Sequence, residues 1–267
     1  MISLRNPKSV LLRALGLCTV LALVLLFIAA PAEEPETVNV LAGPLPMLVN
    51  RQYPVWEDFV PDGLVLLTDV LDPSMVRVKY PETQAVRTAA EALEEMLEAA
   101  ADAGLKKCQV SAAWRSYATQ ESLLNAKIRS YLEKNPGWSR SRARKAALRT
   151  VAEPGCSEHH LGLAFDINVP GASVFKGTKQ CKWLHAHCWE YGFIVRYPEG
   201  KEDITGFTAE AWHFRYVGVL HAEYMRDHDL CLEDYLQGIE DGTIESPAAV
   251  TVEEIDVEEI PLEEMTV

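Results

Sequence analysis

The sequence predicts an α+β fold in which helices pack on a small central antiparallel sheet. Two observations carry this reading. Long segments with apolar residues at helical spacing come first, and short alternating runs rich in β-branched and aromatic residues cluster after them. Elements grouped in this way, instead of alternating strand by helix, point to α+β and away from parallel α/β architectures.

In chain order, "LPMLVNRQYPVWEDFVPDGLVLL" is a proline-broken, irregular approach segment. From Pro81 to about Ala103, "PETQAVRTAAEALEEMLEAAADA" joins strong helix formers to a starting proline, and Gly104 ends it. "KCQVSAAW" reads as a strand. "RSYATQESLLNAKIRSYLEKN" reads as a second helix beginning at Arg115, and "SRSRARKAALRTVA" as a third with a basic exposed side. "GLAFDINV" alternates into a short strand, and "CKWLHAHCWEYG" is a helix that Gly192 terminates. "FIVRYP" and "AWHFRYVG", joined by a turn rich in Gly and Asp, form an antiparallel pair, with further helices to about Gly238.

Composition sets the boundaries. The chain has 267 residues, 48% of them hydrophobic, and a net charge of −14. Of the 39 acids, 14 lie from Asp227 onward, where there is no Lys or Arg. The first 226 residues therefore carry 25 acids against all 25 bases and are neutral, which excludes a nucleic-acid-binding surface. Residues 239–267 lack a period that a core could use and read as an acidic, disordered or loosely docked tail. At the other end, Arg5, Lys8 and Arg13 precede "ALGLCTVLALVLLFIAA", which is uncharged throughout. Residues 1–32 are thus expected to be a secretory signal peptide or a membrane anchor, and residues 33–44 a linker. Either reading places the folded domain, residues 45–238, outside the cytoplasmic membrane. Disulfides are permitted there. Cys181 and Cys188 stand two turns apart on one helix and are too distant to bridge each other. Bridges from this helix to Cys156 or elsewhere are expected.

Three groups carry chemistry. In "SEHHLGLAFDIN", histidines 159 and 160 precede Asp166, with Gly162 and Ala164 letting the backbone come close to an ion. In "EAWHF", Glu210 stands three residues before His213, and Arg115 follows a predicted strand. Two imidazoles and one carboxylate with a fourth position open form the donor set of a catalytic zinc. A glutamate nearby that is not a ligand suits proton transfer, and a guanidinium suits binding of a carboxylate or oxyanion. Spacing alone leaves His159 and His160 equivalent. His185 and His187 look like a second metal pair, but their i,i+2 helical spacing points them to opposite sides.

These residues resemble a known family. "SEHHLGLAFDIN" is similar to the S-x-H-x-x-G-x-A-x-D motif of the VanY-type zinc D-alanyl-D-alanine carboxypeptidases, within the LAS metallopeptidases. "WRSYATQ" resembles that family's R-S-x-x-x-Q helix start, and "YGFIVRYPEGKEDITGFTAEAWHFRYVG" its strand pair with E-x-W-H. The resemblance implies one Zn2+ held by His159, Asp166 and His213, with Glu210 as general base. It implies that Arg115 stabilises the oxyanion and that Gln120 and Ser157 line the peptide pocket, and it leaves His160 on a variable position. The implied reaction removes the C-terminal D-alanine of peptidoglycan stem peptides, with membrane contact only through an uncleaved N-terminal segment. An L,D-carboxypeptidase, a D,D-dipeptidase and an endopeptidase are rivals on the same ligands. A non-catalytic wall-binding module is another, and the intact Glu210 argues against it.

Overall fold

The computed structural model describes residues 46–105 and 108–245; the apolar N-terminal run, the linker and the tail from residue 246 lie outside the described residues. Among the described residues no helix is long and apolar enough to cross a membrane. The centre is a five-stranded sheet ordered β2-β4-β5-β7-β6. Its strands are β2 (Val76–Val78), β4 (Cys108–Ala112), β5 (Ala164–Asn168), β6 (Phe193–Tyr197) and β7 (Glu210–Tyr216). β4, β5, β7 and β6 pair antiparallel as expected. β2, which the sequence reading lacked, adds in parallel to β4 and makes the sheet mixed. β1 (Leu64–Leu66) and β3 (Gln84–Val86) form a separate antiparallel pair.

The helices are α1 (Arg87–Asp102), α2 (Tyr117–Lys134), α3 (Arg140–Ala147), α4 (Lys179–His187), α5 (Glu202–Thr205), α6 (Val219–Asp227) and α7 (Leu232–Glu240). α1 begins six residues later than the helix formers suggest. Gln84–Val86 is drawn into pairing with β1, and the Gln84 carbonyl also accepts from the Trp114 amide. Tertiary pairing overrides local propensity here. α2 starts at Tyr117 and not at Arg115, because the Ser116 hydroxyl accepts the Thr119 amide as N-cap. Arg115 stays outside the helix, its amide bonded to the His159 carbonyl.

The main core lies between the sheet and the buried face of α1, where Ala89, Ala90, Leu93, Met96, Leu97 and Ala100 recur at helical spacing. Cys108, Cys181 and Cys188 sit in this cluster. The expected disulfides are not formed: Cys108, Cys156, Cys181, Cys188 and Cys231 are all free thiols. Four of them are buried as small apolar groups, and burial raises the Cys108 thiol to about 11. The Cys188 thiol is raised too, by burial, to about 12. Tyr235 and Leu232 of α7 close a second cluster with Ala222 and Met225 of α6.

Gly192 ends the turn before β6 at φ +78°. A Cβ there would lie 2.9 Å from a Tyr216 ring carbon and 3.0 Å from backbone atoms of Gly218 and Val219. Gly200, at φ +82°, has open space around it. Gly200→Ala is expected to cost only the left-handed strain, ~1 kcal/mol. Gly192→Ala should cost about 2 kcal/mol or more, because backbone must also move. Denaturant melts of the two variants check this, and equal losses would remove the close approach as a constraint.

Candidate active site

Asp166 occupies the middle of β5, opposite Ala112 of β4 and His213 of β7. Its Oδ1 lies 3.1 Å from His213 Nδ1 and 3.4 Å from His159 Nε2. The two imidazoles meet edge to face at 4.9 Å. One donor atom from each of His159, Asp166 and His213 falls within 4.8 Å of the others, the one such grouping among the described residues. This is a compact, buried N,N,O donor set of the kind that holds a divalent cation.

Local structure aims each ligand. His159 lies in the short 3-10 turn Glu158–Leu161, which Gly162 closes at φ +67°. Its Nδ1 is 2.6 Å from the Ala113 carbonyl. That oxygen can only accept, so Nδ1 carries the proton and Nε2 keeps its lone pair towards Asp166. His160 turns away, with Nδ1 donating to the Arg115 carbonyl at 2.8 Å and Nε2 accepting from the Gly155 amide at 3.1 Å. Both ring nitrogens are spent, so His159 and not His160 joins Asp166 and His213 in the grouping. His185 donates to the Ala211 carbonyl and His187 pairs with Glu190, so those two diverge as their spacing predicts.

Glu210 and His213 stand three apart on one strand, a spacing that would put them on opposite faces of a regular strand. The ladder is irregular here. Val195 pairs with Phe214 but Tyr197 pairs with Glu210, so β7 carries two extra residues against β6. The bulge turns Glu210 back towards the site, its Oε2 4.0 Å from His213 Nδ1.

Arg115 Nη2 donates to Asp166 Oδ2 at 2.9 Å, and Nη1 to Gln120 Oε1 at 2.9 Å. Gln120 in turn donates to the Ala152 carbonyl. Gln120 is therefore buried behind Arg115, not on the pocket wall as the motif implied, because both ends of its amide are consumed. Arg115, Ser157, His159, Asp166, Glu210 and His213 do share one cleft of about 260 Å³. Its remaining walls escaped the sequence reading: Leu123 and Lys127 of α2, Thr150 to Ala152, Tyr197, Phe207 and Trp212. Lys127 was findable, since it lies two helical turns beyond Gln120. Phe207 and Trp212 are set by loop and bulge geometry that leaves no periodic trace.

The electrostatics suit a cation. Burial, with Arg115 nearby, lowers His159 to about 4 and keeps it neutral. Burial opposes the Asp166 charge, yet His213 and Arg115 hold its carboxyl well below the usual range. Burial would also lower His213, but the hydrogen bond to Asp166 and the nearby Glu158 carboxylate outweigh it and raise it to about 9. A proton held so firmly between carboxylates marks a place where a metal cation can take the proton's position. Burial pushes Glu210 up to about 7, beside the operating pH of a general base.

A two-histidine, one-aspartate grouping that could hold a metal ion, with a tuned glutamate in the same cleft, fits the class of carboxypeptidases. The chain belongs to the VanY D-alanyl-D-alanine carboxypeptidase family, whose profile matches residues 82–219. It is 34% identical over 212 residues to the putative carboxypeptidase YodJ of Bacillus subtilis strain 168, covering 78% of this chain and 70% of that one. Among solved structures, a mutant of the vancomycin-resistance D,D-pentapeptidase VanY of a VanB-type cassette, in complex with Zn(II), superposes with a TM-score of 0.60. It is 34% identical, over 71% of this chain and 97% of that one. The LD-carboxypeptidase LdcB is similar at a TM-score of 0.59 and 33% identity, over 71% and 84% of the two chains.

The raised Glu210 has a stability consequence. Its carboxyl titrates near 7 when folded against an ordinary 4.5. Between those values the folded state binds more protons than the unfolded one, so stability falls as pH rises through this window. Glu210→Gln should therefore stabilise the metal-free protein by about 1–3 kcal/mol at pH 8 and hardly at all at pH 4. Denaturant melts at both pH values test it, and a variant no more stable at pH 8 would contradict the burial penalty.

Proposed function

We propose that this protein is a zinc-dependent D-alanyl-D-alanine carboxypeptidase that trims the C-terminal D-alanine from peptidoglycan stem peptides outside the cytoplasmic membrane. The carrying observation is the convergence of His159, Asp166 and His213 with Glu210 in one cleft. His159, Asp166 and His213 would hold one zinc ion, which would supply Lewis acidity for the scissile carbonyl and for water. Glu210 takes the proton of the attacking water and passes it to the departing amine. Arg115, braced by Asp166 and Gln120, sets a fixed positive charge at the cleft wall for the developing oxyanion. Ser157 lines the same wall. The basic residues and apolar run at the N-terminus support an extracytoplasmic location, where stem peptides are found.

A carboxypeptidase must also hold a terminal carboxylate. Arg115 is already committed, whereas Lys127 lines the cleft with its ammonium 5.7 Å from the Tyr131 ring and no acidic partner among the described residues. Lys127 is the cation for that carboxylate. Lys127→Met should raise KM about tenfold while kcat changes little, since an exposed charge-assisted contact is worth roughly 1–2 kcal/mol in substrate binding. An unchanged KM would discard this assignment.

The similarity to LdcB favours a second reading with the same ligands, an L,D-carboxypeptidase acting on tetrapeptides. Incubation with muramyl pentapeptide and tetrapeptide, with and without chelator, separates the two. Free D-alanine from pentapeptide, abolished by chelator and lowered about 10²–10⁴-fold in Glu210→Ala, is expected. Release from tetrapeptide alone moves the assignment to the second reading. Undiminished activity of Glu210→Ala would refute the mechanism.

A further inference from the structure

Glu158 stands between Ser157 and His159 on a position that the motif leaves open, and nothing in the reaction above uses it. It is nonetheless among the most buried charges of the molecule, its side chain 0% exposed. Its Oε1 accepts from Arg196 Nε at 2.8 Å and lies 2.8 Å from Arg215 Nη1, the latter off hydrogen-bond geometry. Arg196 grips Glu233, in the first turn of α7, through two bonds of 2.9 and 2.6 Å. Arg215 spends its other donors on the carbonyls of Tyr216 and Met47. Two carboxylates and two guanidiniums thus balance in the interior, which such charges need in order to be buried at tolerable cost.

One oxygen of this network is left over. Glu158 Oε2 has no hydrogen-bond partner, and neither does His213 Nε2. The two atoms lie 3.8 Å apart. His213 turns its other nitrogen, Nδ1, to Asp166 and Glu210. His159 shows the same division of labour, with one nitrogen towards Asp166 and the other fixed by the Ala113 carbonyl.

Resting on the metal reading above, we propose that Glu158 is the positioning residue of His213: its free oxygen takes the Nε2 proton and so presents Nδ1 to the metal, while Arg196 and Glu233 hold Glu158 charged and in place. A carboxylate behind a ligating imidazole fixes the tautomer and strengthens the ligand. α7, from the C-terminal end of the described residues, thereby becomes part of the metal site without touching it.

The test measures zinc affinity by competition with a chelating dye for the parent, Glu158→Gln and Glu233→Gln, alongside melting curves of the metal-free proteins. In the zinc-loaded proteins, the ring N–H proton of His213 is followed by NMR. Glu158→Gln should weaken zinc binding about 10- to 100-fold and shift or broaden that N–H resonance. Glu233→Gln, which meets Glu158 only through Arg196, should weaken binding several-fold. If Glu158→Gln does not fold, the Glu233→Gln affinity and N–H signal decide the matter. Folded variants that bind zinc as the parent does, with an unchanged N–H signal, overturn this inference and leave the functional reading standing. Weakening by Glu158→Gln alone overturns the part assigned to Glu233. A parent that binds no zinc overturns both readings, before any variant is compared.

Discussion

The structure is organised around the carboxylate of Asp166. Its Oδ1 meets two imidazoles and its Oδ2 meets Arg115, at distances of 2.9–3.4 Å, in a place where an isolated charge would be expensive. Everything near it serves either to deliver these partners or to aim them. β5 lies between β4 and β7, so one residue of that strand can be opposite Ala112 and His213 at once. The turn that carries His159 leads straight into the same strand, and its carbonyl ties down the Arg115 amide.

The same constraint explains why so much charge is buried in an otherwise ordinary core. A cation site needs ligands with their protons removed or displaceable, and water would level those preferences. Burial keeps His159 neutral and makes the Glu210 carboxyl reluctant to ionise. Each effect is unfavourable to folding by itself. The apolar packing of α1 against the sheet offsets it, so the site and the core are energetically linked.

Bulges do the remaining work. Between Val110 and Ala112 the β4–β5 register slips, and between Val195 and Tyr197 the β6–β7 register slips again. Both irregularities flank the cleft, the setting in which bulges redirect side chains. Trp212, carried on the second bulge, is exposed at the cleft, whereas in a regular strand it would share the face of the buried Glu210. The same segment explains how Glu210 and His213, three apart on a strand, reach one cleft.

Much was legible from residue types in order. The α+β class, most of the elements and the choice of His159, Asp166, His213 and Glu210 follow from periodicity and from a motif whose residues are close in sequence or lie on paired strands. Other features depend on contacts between segments far apart in the chain. Pairing with β1 took Gln84–Val86 out of the helix, and core burial left the cysteines as thiols where bridges were expected. Gln120 was recognisable as a site residue, but only the fold put it behind Arg115. Glu158 was invisible, because its importance comes from Arg196, Arg215 and Glu233 closing on it. Local sequence determines what a residue can donate, accept or ligate; which partner it meets is decided by the register of strands and the docking of helices.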